Sequence, residues 1–183
     1  MKGNMIKVVI LLTITAVGVT TAAFGLGKEV FPLPIGVRHL INTIIAPKDL
    51  YDPIVEDRFV FYLKGYEKVY DLKPKYLDVY ELGFSAGDSG IDSRYRFKGC
   101  LRAVFYSGNK AIYECLISSQ KSAWYIKEDM TRYRSISLLT FDVPIKGKYV
   151  NDLKVKLTVL EPDVQLEKYR DQIKLHIAVS GIP

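Results

Sequence analysis

The chain has 183 residues, with 26 lysines and arginines against 20 aspartates and glutamates, two histidines and two cysteines. Without residues 1–46, which carry Lys2, Lys7, Lys28 and Arg38 against Glu29, the net charge falls from +6 to +3. A body so nearly neutral argues against nucleic-acid binding. Two histidines and scattered acids leave no cluster with ligand spacing for a tightly held metal, so neither a metal nor another cofactor is expected.

The first element in chain order is an uncharged run from Val8 to Gly27, flanked by Lys7 and Lys28. A basic start, an apolar centre and small residues at Thr21, Ala23 and Gly25 make the layout of a secretory signal. The same run, at about 1.5 Å per residue, would also cross a hydrocarbon layer about 30 Å thick. Residues 1–27 are therefore expected to be a signal peptide or a retained amino-terminal membrane anchor. On either reading the remainder is exported, to the periplasm or to the outer side of the inner membrane. Membrane contact is expected only through residues 8–27, if uncleaved.

Residues 28–55 read as a tether, because Pro32, Pro34, Pro47 and Pro53 interrupt any long element. From residue 56 to residue 183 the dominant signal is period two, which puts alternate side chains on one face of a strand. Phe59, Phe61 and Leu63 form one apolar set, and Tyr80, Leu82 and Phe84 another. Phe97, Leu101, Ala103 and Phe105 face away from Arg96, Lys98 and Arg102. Leu153, Val155, Leu157 and Val159 alternate with Lys154, Lys156 and Thr158, and Ile173, Leu175, Ile177 and Val179 close the chain in the same way.

Turn residues separate these runs at Ser85–Ser93, Ser107–Lys110, Ser118–Ser122, Pro144–Lys148 and Glu161–Asp171. With weaker segments near Val69, Trp124 and Ser137, the count is about eight strands. That predicts an all-β domain, an antiparallel β-sandwich of jelly-roll or immunoglobulin-like type. Only Val164–Tyr169 looks locally helical.

Arg94, Arg96, Lys98 and Arg102 would share one face of a single strand, a positive stripe about 25 Å long. Such a stripe is either a solvated face that protects a sheet edge or a dock for an acidic partner or anionic headgroup. Tyr62, Tyr66, Tyr70, Tyr76 and Tyr80 suit half-buried strand surfaces. Tyr133, with Trp124 and Tyr125, is either a core or a contact residue.

Cys100 and Cys115 straddle the Ser107-Gly108-Asn109 turn, and outside the cytoplasm such a pair is a candidate disulfide. A two-residue loop at Ser107-Gly108 would set the cysteines opposite each other. A three-residue loop ending at Asn109 would instead set Arg102 opposite Glu114 and send Leu101, Ala103, Phe105, Tyr113 and Cys115 inward together. No motif brings a histidine to either thiol.

Two serine motifs invite a hydrolase reading. Gly83-Phe84-Ser85-Ala86-Gly87 has the letters of a nucleophile elbow, but a Gly/Ser/Asp loop follows it where a helix is required. Gly87-Asp88-Ser89-Gly90 is like the serine motif of chymotrypsin-like proteases, yet its only early histidine, His39, lies in the tether. No catalytic constellation is expected.

Tyr80-Glu81-Leu82-Gly83-Phe84 and Pro144-Ile145-Lys146-Gly147-Lys148-Tyr149, followed by the last pair of strands, resemble small β-sandwich proteins of the bacterial envelope. Some members of that grouping resemble immunity proteins that neutralise toxins delivered into the periplasm. The resemblance supplies no functional residues; taken with the chain's own pattern, the expectation is a non-enzymatic protein that binds another protein in the envelope, with the charged and tyrosine-rich faces or the Ser85–Ser93 loop at the contact. The rival expectation is a membrane-anchored structural or accessory component of an envelope assembly.

Overall fold

A computed structural model describes residues 47–86, 91–128, 131–145 and 152–180, and for residues 124–133 it describes the backbone only. The expected leader, most of the tether and the Asp88 and Ser89 positions lie outside the described residues. Among the described residues nine strands run in the order β1 (Val55–Asp57), β2 (Glu67–Leu72), β3 (Val79–Ala86), β4 (Cys100–Ser107), β5 (Lys110–Ile117), β6 (Ser122–Glu128), β7 (Thr131–Asp142), β8 (Leu153–Glu161) and β9 (Ile173–Val179). One short 3-10 helix, Val164–Tyr169, precedes β9, where the sequence placed its only helical segment. Among the described residues no helix is long and apolar enough to cross a membrane.

The strands form two antiparallel sheets. Sheet A has the order β1-β9-β3-β7-β6 and sheet B the order β2-β8-β4-β5. Only β4 to β5 and β6 to β7 are connections within a sheet; every other connection passes from one sheet to the other.

Alternation explains the pairing. On β8, Leu153, Val155, Leu157 and Val159 are buried while the residues between them are partly exposed, and β9 repeats the pattern. Both sheets send their apolar sets into one core that includes Tyr80, Leu82 and Phe84 of β3 and Leu101, Ala103 and Phe105 of β4. Phe105 meets Phe141 of β7 with ring centroids 4.8 Å apart, which joins the sheets directly. Each such aromatic ring removed from water contributes about 3 kcal/mol.

Two expectations need correction. Residues 58–63 are not a strand: Phe59 and Phe61 are buried, but Leu63 is 56% exposed. The Phe61 carbonyl accepts from the Asp163 amide at 3.0 Å, so a loop contact replaces the sheet ladder there. The packed body also begins before residue 56. Leu50 belongs to the core, the Ile54 amide donates to the Ile177 carbonyl, and Asp49 accepts from Lys75 and Tyr76 at 2.7 and 2.6 Å.

Candidate functional site

The registers define two ends. Asp57 lies opposite Leu175, Ala86 opposite Ile173, Glu67 opposite Thr158 and Cys100 opposite Glu161. The β1–β2, β3–β4 and β8–β9 connections therefore gather at one end, here called distal. The chain joins the domain at the other, proximal end, where Asp49 is clamped to Lys75 and Tyr76 in the β2–β3 connection. Eight residues of β3 separate the ends by about 26 Å.

One buried carboxylate organises the distal end. Asp163 is 1% exposed and caps the 3-10 helix by accepting from the Gln165 amide at 3.1 Å. Its other oxygen accepts from the Tyr95 hydroxyl at 2.6 Å and the Lys98 amide at 2.8 Å. Burial, and then the bond to Asp163, push the Tyr95 hydroxyl far above the ordinary tyrosine range. Three connections are thus tied together: 58–66 through Phe61, 91–99 through Tyr95 and Lys98, and 162–172 through Asp163 itself. A buried charge holding several hydrogen bonds is worth more than the same contacts in water, because each partner would otherwise be left unsatisfied.

This arrangement corrects the predicted basic strand. Strand β4 begins only at Cys100, and residues 91–99 form a loop. The side chains still alternate, with Tyr95 and Phe97 buried and Arg94, Arg96 and Lys98 exposed. The Phe97 and Lys98 amides, however, donate to the side chains of Gln120 and Asp163 in place of a neighbouring strand. Arg94, Arg96 and Lys98 consequently sit at the distal end, whereas Arg102 lies in the outer face of sheet B.

The four cations also differ in their partners. Arg102 makes a bidentate pair with Glu114 at 2.7 and 3.0 Å. Lys154 and Lys156, on the same outer face, pair with Asp71 and Glu67. Arg94 reaches Asp92 at 3.5 Å, and that contact together with the Arg94 amide holds the Asp92 carboxyl below its usual range. Among the described residues, Arg96 donates only to the carbonyls of Ser93 and Tyr95. Among the described residues no carboxylate lies within 4.0 Å of the charged atoms of Lys64, Arg96 or Lys98.

Two apolar side chains that the sequence reading did not single out as surface residues share this end. Leu63 is 56% exposed and Val164 is 66% exposed. Leu63 lies between Phe61 and Gly65, whose backbones bond to Asp163 and Val159, and Val164 follows Asp163 directly. Tyr133 contributes backbone to β7 opposite Ile126, near the distal end; its side chain lies outside the described residues.

The cysteines follow neither expected register. The strands turn through Gly108-Asn109, Gly108 takes a positive φ of 55°, and an irregularity at Phe105/Tyr106 shifts the pairing. Ala103 comes opposite Cys115, while Cys100 faces Glu161 of β8. Both thiols are free, and burial raises the Cys115 thiol above its ordinary value. The Arg102–Glu114 contact is made diagonally, and Leu101, Ala103, Phe105, Tyr113 and Cys115 do belong with the core.

A second polar set lies on the outer side of sheet A. Gly83 is opposite both His176 and Ser137. The imidazole lies over the glycine: a Cβ there would come within 2.8 Å of His176 Nε2 and 2.6 Å of the Ile136 carbonyl. His176 Nε2 is 3.2 Å from Ser135 Oγ and 4.0 Å from Glu81 Oε1. The acid and the serine thus approach the same ring nitrogen, unlike a triad in which they use opposite nitrogens. Ser85, the serine of the elbow-like motif, is paired within β3 to Ser135 and Lys174 and does not stand at a strand-to-helix turn.

No protein-family model, characterised protein or solved structure matches the chain.

Proposed function

We propose that this is a non-enzymatic protein-binding domain of the cell envelope, a β-sandwich of jelly-roll type that engages its partner through the distal end. The observation that carries the reading is the contrast in charge pairing. Arg102, Lys154 and Lys156 on the outer face of sheet B are matched by carboxylates, whereas Lys64, Arg96 and Lys98 are exposed on connections fixed by Asp163 and have no such match among the described residues. Loops held rigid at one end of a two-sheet scaffold are the usual site of recognition.

Strand order supports the jelly-roll form. Without β6, the two sheets read β1-β9-β3-β7 and β2-β8-β4-β5. This is the order produced by winding a long hairpin into two Greek keys. An immunoglobulin-like domain keeps more of its consecutive hairpins within one sheet.

An export signal or anchor at residues 1–27 places this domain outside the cytoplasm. The distal connections, at the end of the domain opposite Asp49, are then the surface through which an immunity or inhibitor protein would meet an incoming toxin. Affinity capture of the full-length chain from gently solubilised envelopes tests the reading, with mass spectrometry of the bound proteins and of the bait's amino terminus. One dominant toxin-like enzyme on a processed bait is the expected result, lost on charge reversal by Arg96→Glu with Lys98→Glu. Several membrane-assembly proteins on an unprocessed bait, retained by that variant, would replace this reading with the anchored structural component.

A further inference from the structure

We infer that the distal end is a composite amphiphilic dock for a protein segment combining carboxylates with aliphatic side chains. This rests on the protein-binding reading and assigns the partner's chemistry. Three separate connections supply the dock: Leu63 and Lys64 from β1–β2, Arg96 and Lys98 from β3–β4, and Val164 from β8–β9. Asp163 joins the three, being bonded to the Lys98 amide and the Tyr95 hydroxyl while its own amide donates to the Phe61 carbonyl.

The physical argument has two parts. Leu63 and Val164 are 56% and 66% exposed, so each can lose apolar surface to water only by meeting a second molecule. Charge complementarity then fixes the sign of that molecule. Arg96 and Lys98 project from alternate positions around buried Phe97 and have no carboxylate partner among the described residues, so an incoming acid displaces no ion pair among them. Preorganisation lowers the ordering cost, because the Lys98 backbone is already held at 2.8 Å by a buried acid.

A protein segment fits better than an anionic membrane. The described residues begin at the proximal end, where the Asp49–Lys75–Tyr76 clamp holds them, the opposite end of the domain from the dock. The dock also mixes aliphatic side chains on two connections with cations, a mixture that a protein segment of carboxylate and aliphatic residues matches.

The test is selection from a displayed random dodecapeptide library against the full-length protein in mild detergent, followed by affinities for synthetic copies of the selected peptides. Peptides enriched in Asp or Glu together with Leu, Ile or Val are expected. Their Kd should rise tenfold or more for Arg96→Glu with Lys98→Glu, and several-fold for Leu63→Ser with Val164→Ser. Leu116→Ser, equally exposed but on sheet B, should leave it unchanged. Selected peptides whose affinity is indifferent to the distal variants would overturn this dock while leaving protein binding standing. Failure to select peptides, with phosphatidylglycerol vesicles bound in a Lys98-dependent way, would overturn it in favour of a membrane contact. Failure with both probes would overturn the dock and the protein-binding reading together.

Discussion

The outer faces of the two sheets obey opposite rules although both consist of polar residues alternating with core residues. On sheet B, Glu67, Asp71, Arg102, Glu114, Lys154 and Lys156 form pairs in contact with water, and Val69 and Leu116 stand among them 54% and 64% exposed. On sheet A, Glu81, Ser135 and Ser137 point outward yet are 4%, 0% and 1% exposed, with His176 lying across Gly83. Alternation therefore reports which way a side chain points, and not whether water reaches it. The consequences for energy differ: an exposed ion pair contributes little, whereas a buried polar group makes its neighbours intolerant of change.

The largest effect should come from filling the glycine of sheet A. Gly83→Val places a branched side chain against the Ile136 carbonyl and the imidazole, and overpacking of this kind should cost about 3 kcal/mol in chemical denaturation. Adding His176→Ala to Gly83→Ala should recover only part of the loss of the single alanine, because the contact with the Ile136 backbone remains. Full recovery would mean that the imidazole alone enforces the glycine.

Next in size is an alkaline effect from buried tyrosines, of which Tyr80 lies on the inner side of the same sheet. Burial raises the Tyr80 hydroxyl from 10.0 to about 12, and raises Tyr70 and Tyr95 further. In each case the unfolded chain loses its proton first. Stability is thus fully present below pH 10 and declines as pH rises toward 12, with about 2 kcal/mol from Tyr80. Urea midpoints that are flat between pH 9 and about 11.5 would contradict the burial of these hydroxyls.

A smaller effect belongs to sheet B. Leu116→Ser and Val69→Thr should each change stability by less than about 0.5 kcal/mol, because neither side chain fills a cavity. A loss several times larger for either would show that this face is covered in the intact protein, bringing it closer to sheet A.

The alternation of β3, β8 and β9 was legible because those strands take their hydrogen bonds from a ladder; β8 and β9 expose the residues between their buried ones more, whereas β3 is covered on both faces. The same periodicity misled at residues 58–63 and 94–99. There Phe59, Phe61, Tyr95 and Phe97 are buried as a strand would bury them, but backbone groups are satisfied by Asp163 and Gln120. Nothing local marks Asp163 as the common partner, since its contacts lie 65 and 68 residues away. Of the basic set, the exposure of Arg94, Arg96 and Lys98 was readable, while their separation from Arg102 depends on where β4 begins. The meeting of Gly83 with His176 and Ser137 requires the order β9-β3-β7, which pairs strands far apart in the chain. A glycine inside a strand was the one available hint of a close approach.

The smallest effect addresses Arg102, the stripe member that the fold removes from the distal end. Hydrogen bonding to Arg102 holds the Glu114 carboxyl below its ordinary value of 4.5. The folded state therefore binds the proton less readily than the unfolded chain. Stability from the pair is complete above pH 4.5, and is lost as pH falls through that value and the depressed folded one. Because both groups are exposed, the contribution should be small and screened by salt. Glu114→Gln should lower the thermal midpoint slightly at pH 7 and low ionic strength, with the difference vanishing near pH 3 or in about 1 M salt. A difference that survives both conditions would mean that Glu114 acts through packing. Since Arg102 is already matched within its own sheet, charge reversal there should also weaken an acidic peptide far less than reversal at Arg96 and Lys98, which separates a paired face from an unpaired end by one measurement on the same protein.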